Sequence, residues 1–194
     1  MQIVIIDNYD SFVYNIVRYI NDATESKAIV LRNDAIDKTV LENADAIVLS
    51  PGPGIPEEAG QLMKIIEEFH DRKPILGICL GHQALGQFFG AELIQNDFPL
   101  HGKATIIHKV IESELFHQLP TQFEVGRYHS WSIKNNSSVL ETTSETDEQE
   151  VMSFRHRSLP IIGLQFHPES ILTPNGRQII ENWVQSITLK YAAI

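Results

Sequence analysis

Cys79 is the only cysteine among 194 residues, and it stands between Gly77 and Gly81 where the hydrophobic spacing of the chain changes. Before it, Ile75, Leu76 and Ile78 form a short apolar run of the kind a buried strand shows. After it, Ala84, Leu85, Phe88 and Phe89 recur at helical spacing. The thiol therefore falls at a strand-to-helix turn. The flanking glycines suit a sharp bend with close backbone approach, the elbow that lifts a nucleophile above the end of a sheet. A helix N-terminus carries partial positive charge and stabilises a thiolate. A free cysteine flanked by Ile and Leu is otherwise a small buried hydrophobe, so reactivity requires a base and a group that orients the base.

Both occur near the other end of the chain. Residues 160–166 read as another apolar strand, followed at once by His167-Pro168-Glu169-Ser170. Alternate residues of an extended segment point the same way, and a following proline biases His167 toward extended backbone. His167 and Glu169 then share a face. In that arrangement Glu169 holds the imidazole in one tautomer while the other ring nitrogen takes the thiol proton.

The elements that must position these residues alternate along the first half of the chain. Residues 2–6 are a near-continuous Ile/Val run, the mark of a parallel strand covered on both faces. Asp10 or Ser11 is expected to cap a helix carrying Phe12, Ile16, Val17 and Ile20 on its apolar side. Strands follow at 28–31 and 46–49, separated by a weakly helical stretch at 39–43. A helix opened by Glu57 and Glu58 presents Leu62, Ile65, Ile66 and Phe69. The pattern predicts an α/β fold: an open, mostly parallel sheet with helices on both faces and a site outside the carboxyl ends of its strands. Shorter strands at 92–94, 104–109, 122–125, 139–143 and 151–155 predict a small antiparallel extension packed on that sheet. The acidic stretch 145–150 reads as a solvated hairpin turn. Thr173 and Pro174 suit the N-cap and first position of a closing helix with Ile179, Ile180, Trp183, Val184 and Ile187 on its inner face.

Between strand and helix, Ser50-Pro51-Gly52-Pro53-Gly54 is a stiff loop able to aim backbone N–H groups at a ligand. Taken with Gly77-Ile-Cys79-Leu80-Gly81-His82-Gln83 and Gln165-Phe166-His167-Pro168-Glu169-Ser170, it resembles the class I (Cys-His-Glu) glutamine amidotransferases. Asp7-Asn8-Tyr9-Asp10-Ser11-Phe12, His101-Gly102-Lys103 and Arg127-Tyr128-His129-Ser130-Trp131 are similar to the narrower branch serving chorismate-using synthases, the small subunits of anthranilate synthase and aminodeoxychorismate synthase. The motifs run in order from residue 7 to about residue 176.

The resemblance implies a glutaminase with Cys79 as nucleophile, His167 as acid and base, and Glu169 as its orienter. It implies an oxyanion hole from the Gly52 and Leu80 N–H groups. Glutamine would be held by Gly52, Pro53, Gly54, Gln83 and the main chain at Ser130 and Trp131; the family commonly has Leu where this chain has Trp131. A larger chorismate-binding synthase subunit would receive the ammonia, which neutral water would otherwise protonate. Two other readings of the residues stay open: a free-standing cysteine hydrolase of γ-glutamyl substrates, and a non-catalytic regulatory relative.

Composition bounds the rest. The length favours one domain over 1–194. A formal net charge of −10 speaks against nucleic acid as a partner. No apolar run approaches a membrane span, and the N-terminus has no basic region before its first acid, Asp7, which is wrong for a signal peptide. One cysteine asks for no oxidising compartment, so a cytoplasmic protein is expected. Eight scattered histidines and one thiol suggest no metal cluster, and no cofactor is expected in this chain.

Overall fold

The computed structural model describes residues 1–24 and 26–192. Strand β1 (Ile3–Asp7) is buried along its whole length, as its unbroken apolar run requires. Helix α1 (Val13–Ala23), strand β2 (Ile29–Arg32), the short helix α2 (Lys38–Glu42) and strand β3 (Ala46–Leu49) follow. After one 3₁₀ turn come helix α3 (Leu62–Phe69), strand β4 (Ile75–Ile78) and helix α4 (Leu80–Phe88). The remainder contains β5 (Glu92–Gln95), β6 (Lys103–Lys109), β7 (Gln122–Arg127), β8 (Trp131–Lys134), β9 (Leu140–Glu145), β10 (Val151–His156), β11 (Ile161–Leu164) and the closing helix α5 (Gly176–Ala192).

Nine strands form one sheet in the order β2-β1-β3-β4-β11-β10-β9-β6-β7. The half from β2 to β11 is parallel, and β10, β9, β6 and β7 continue it in antiparallel pairing. The antiparallel extension is thus hydrogen-bonded onto the sheet's edge rather than laid on its face. β5 and β8 pair separately. Alternation along β1 divides the core in two. Ile3 and Ile5 join Val13, Ile16 and Ile20 of α1 and Ile179, Ile180 and Trp183 of α5 on one face. Val4 and Ile6 join Leu62, Ile65 and Phe69 of α3 and Leu85 of α4 on the other. Helices therefore cover both faces, as the βα alternation predicts.

Three helix starts differ from expectation. α1 begins at Val13, with Phe12 at its cap position, because the Asp10 carboxylate accepts the Phe12 N–H at 3.1 Å instead of capping further in. Glu57 and Glu58 belong to the 3₁₀ turn Pro56–Glu58, and α3 begins only after Gly60, whose φ is +57°. α5 starts at Gly176, since Thr173 spends its hydroxyl on the site described next.

Strand order reverses between β1 and β3, so loops leaving the carboxyl ends of these neighbouring strands part and open a crevice. The segments after β1, β3, β4 and β11 carry Asp10, Gly52, Cys79 and His167 respectively.

Candidate active site

Cys79 occupies the turn from β4 to α4 with φ 51° and ψ −101°, a region L-residues rarely adopt. Two close approaches hold it there. A Cβ on Gly77 would strike the Gly81 carbonyl, and a Cβ on Gly81 would strike the carbonyl of Leu49 at the end of β3. Both glycines are therefore needed for lack of side chain rather than for positive φ. The Cys79 N–H donates to the Leu164 carbonyl at 2.7 Å, which ties the elbow to the end of β11.

Past β11 the chain turns sharply. Ser170 N–H donates to the His167 carbonyl at 3.2 Å, and this turn carries the Glu169 carboxylate back to the imidazole. His167 Nδ1 lies 2.6 Å from Glu169 Oε1. The two residues meet as expected, but through a tight turn rather than through strand alternation. Thr173 fixes the turn: its hydroxyl donates to the His167 carbonyl at 2.6 Å and accepts the Gly126 N–H at 2.9 Å. The Tyr128 ring packs edge-on against the imidazole, 4.9 Å between centroids, and its hydroxyl is 2.9 Å from Ser170 Oγ.

Burial alone would lower the pKa of His167. The nearby Cys79, and then the hydrogen bond and charge of Glu169, outweigh burial and raise it well above its ordinary value. The imidazolium is thus the favoured form, with the Glu169 carboxylate on its Nδ1 side. Asp10 is drawn into the same electrostatic neighbourhood. Burial first, and then the charge of Glu169, raise its carboxyl to about 6.

A cavity of about 550 Å³ opens over these groups, lined among others by Asp10, Gly52, Pro53, Cys79, His167 and Glu169. Gly52 packs so closely that an added Cβ would lie 2.9 Å from Leu80 Cδ2 and 2.6 Å from Asn8 Cβ, so the two expected oxyanion donors sit on adjoining segments. Gly54, with φ +78°, follows outside the cavity wall. Gln83, Ser130 and Trp131 do not line this cavity either; Gln83 and Trp131 are linked to it through hydrogen bonds by way of Gln165, and Ser130 precedes Trp131 in the chain. Gln83 Nε2 donates to the Trp131 carbonyl at 2.7 Å and to Gln165 Oε1 at 3.3 Å, so its donor is already committed within the protein. The same carbonyl accepts from His129 Nδ1 at 2.9 Å.

An acid comes near His129 in space but bonds to Arg127 rather than to the imidazole. Glu150, in the turn read as merely solvated, pairs with the buried Arg127 guanidinium and lies 3.6 Å from His129 Nε2. Arg127 Nε donates to His129 Nε2 at 3.2 Å, which requires the neutral Nδ1–H tautomer. Burial, and then the Arg127 charge, push His129 down to about 3. His82, one turn into α4, is wholly enclosed against Phe154, and burial pushes it down to about 3. His101-Gly102-Lys103 stands apart from the cavity: Gly102, with φ +71°, leads into β6 beneath the Tyr128 ring.

The profile of the family described as glutamine amidotransferase class-I matches residues 4–187. The chain belongs to the class-I glutamine amidotransferases. It is 43% identical to the bifunctional protein TrpGD of Thermotoga maritima over 97% of its own length, and it spans 33% of that longer relative. It is 39% identical to the aminodeoxychorismate/anthranilate synthase component 2 of Bacillus subtilis, covering 95% of this chain and 96% of that one. Among solved structures, a Thermoplasma acidophilum protein described as a candidate component of GMP synthase superposes with a TM-score of 0.87 at 28% identity, over 100% of this chain and 96% of that one. As a member of this amidotransferase family the chain is an enzyme that draws on the amide nitrogen of glutamine. Among the described residues, no helix is long and apolar enough to cross a membrane.

Gln165 and Tyr128 stand inside motifs the sequence displays, yet their contacts with Cys79 and His167 arise only in the fold. Glu150 has no local signal at all and is brought to Arg127 from 23 residues away.

Proposed function

We propose that this chain is the glutaminase component of a chorismate-using synthase, delivering ammonia to a larger partner subunit that makes anthranilate, aminodeoxychorismate or both. The observation that carries the chemistry is the 2.6 Å contact of His167 with Glu169 in the cavity that also holds Cys79. The thiolate attacks the side-chain carbonyl carbon of glutamine, and the N–H groups of Gly52 and Leu80 receive the oxyanion. As the tetrahedral adduct collapses, the C–N bond breaks and His167 gives its proton to departing ammonia, leaving a γ-glutamyl thioester on Cys79. Neutral His167 then takes a proton from water, whose oxygen attacks the thioester. The C–S bond breaks with its electron pair on sulfur, and glutamate leaves. Glu169 orients the ring throughout. By the resemblance, the main chain at Ser130 and Trp131, which lies beyond the cavity wall, takes the α-amino and carboxylate end, with Pro53 in the wall and Gly54 next to it; no cofactor in this chain enters any step.

A partner is supported by the rim of the cavity. Tyr9, Phe12 and Ile171 line its mouth and are 49%, 57% and 95% exposed. Large apolar side chains ringing a reaction site form a face that a partner would cover. The names of the relatives favour a chorismate-using synthase as that partner. The net charge of −10 favours a partner other than nucleic acid, and the cytoplasm is the compartment we propose.

The deciding experiment mixes the chain with each candidate synthase, chorismate and glutamine, and identifies the aromatic product. A cognate synthase is expected to raise kcat for glutamine hydrolysis more than it lowers KM, the signature of alignment completed in the transition state. Cys79→Ser should abolish glutamine-dependent synthesis while ammonia-dependent synthesis survives. Hydrolysis indifferent to every synthase would favour a free-standing hydrolase instead.

A further inference from the structure

We infer that Gln165 is a catalytic residue whose side-chain amide donates to the Cys79 sulfur and holds it as an anion in the cavity, an assignment that rests on Cys79 being the nucleophile. Gln165 is completely buried. A buried primary amide is costly unless both of its ends find partners. Its orientation follows from its neighbours. The Trp131 carbonyl can only accept, so Gln83 must present Nε2 to it, at 2.7 Å. The same Nε2 meets Gln165 at 3.3 Å, so Gln165 must present its oxygen there. The Gln165 amide nitrogen is thereby turned to Cys79 Sγ, at 3.9 Å. A hydrogen bond to a large, soft acceptor gains most when that acceptor is charged.

The support for this donor extends well beyond the sulfur. His129 donates to the Trp131 carbonyl from the other side, Arg127 donates to His129, and Glu150 holds Arg127. A chain of hydrogen bonds thus runs from the β9–β10 turn to the reacting atom and passes through the main chain expected to seat glutamine. It leaves the Gln165 amide little freedom to swing, which is the preorganisation a charged sulfur needs. In the reaction the bond serves twice. It stabilises the thiolate before attack, and it stabilises the sulfur again when the thioester C–S bond breaks with its electron pair on Sγ, at the moment His167 is committed to the water proton.

The test is the pH profile of alkylation of the single thiol by iodoacetamide, read as label incorporated. The titratable groups sharing the cavity with the sulfur are Tyr9, Asp10, Tyr128, His167 and Glu169, with His82 buried one turn along α4, and all of them remain in the variants. Gln165→Met keeps the bulk and removes the donor. It should raise the midpoint by about one pH unit, so that below it the thiolate fraction falls about tenfold and the rate about threefold. The alkaline plateau should rise about threefold, because a thiolate of higher pKa is the stronger nucleophile. Gln165→Glu keeps the shape and the acceptor toward Gln83, and should shift the midpoint further in the same direction. Gln83→Met, which frees the amide to swing, should give a smaller shift. Damage to packing alone would lower the plateau without moving the midpoint upward.

Folding is checked by circular dichroism, and a wild-type midpoint in whichever of the three variants fold overturns the proposal. The readout needs no glutamine turnover. Glutamine hydrolysis surviving in Cys79→Ser would sink the nucleophile itself, whereas an unmoved midpoint would sink only the role of Gln165.

Discussion

Glu169 reaches back across Pro168 to set its Oε1 2.6 Å from Nδ1 of His167, so acid and base are held by one turn of chain closed by the Ser170 N–H. The carboxylate is one of the groups that raise His167. Removing its charge with Glu169→Gln should therefore lower the pKa of the imidazole, and the alkaline limb of the glutaminase profile should move to lower pH. The ring would stay in place, so kcat at neutral pH should fall about tenfold, against about a thousandfold for His167→Ala, which loses the proton carrier. Steady-state assays across pH with the partner present measure both. Identical alkaline limbs in wild type and Glu169→Gln would contradict the coupling.

Acid should unfold this protein through its buried neutral histidines. His82 and His129 each lie at about 3 in the folded state against an ordinary 6.5, so between those values the unfolded chain binds protons that the folded chain refuses. Stability is then lost as pH falls below 6.5, by about 1.4 kcal/mol per pH unit for each histidine. His82→Leu should make the slope shallower by about that amount, as measured by urea unfolding at several pH values within the window. Parallel slopes in the two proteins would show that His82 is protonated when folded.

Thr173 offers a test of how tightly the imidazole must be held. Thr173→Val strips the Gly126 N–H and the His167 carbonyl of their hydroxyl partner while preserving shape, at a cost of about 2 kcal/mol in stability. The turn carrying His167 loosens as well, so kcat should fall several-fold with little change in KM. Thr173→Ser keeps both hydrogen bonds and should restore kcat. Failure of serine to rescue would assign the defect to lost packing.

Elements with strong periodicity are legible in the amino-acid sequence. The Ile/Val run of β1 and the apolar stripes of α1 and α5 each match a core face that a neighbouring element covers, except that Phe12, expected on the α1 stripe, stands before the helix and is exposed at the cavity mouth. The elbow at Cys79 is legible too, because a change of period and two glycines mark it locally. β8 is not, since a strand of four residues gives only two alternations and its partner β5 lies some 35 residues earlier. Thr173 misleads because a threonine before proline has the local chemistry of a cap, while the tertiary partners that claim its hydroxyl leave no trace in neighbouring residues. Glu150 sits in an acidic turn whose composition says solvent, and only the fold brings the buried Arg127 to it. Local signals report what each segment can do alone; the hydrogen-bond chain behind the sulfur exists only between segments.

The positive φ of Cys79 has a consequence for how the chain could be stabilised. A non-glycine residue at φ 51° and ψ −101° carries strain of about 1–3 kcal/mol, which the surrounding contacts sustain for as long as the fold persists. Glycine accepts that conformation freely. Cys79→Gly should therefore resist unfolding better than Cys79→Ala by about 1 kcal/mol, even though glycine has the more disordered unfolded state. Thermal unfolding of the two inactive variants measures the difference, and equal midpoints would mean the elbow is relaxed. Selection for stability alone would then install glycine at position 79 and discard the thiol, so a screen for thermostable variants of this chain has to select for turnover as well.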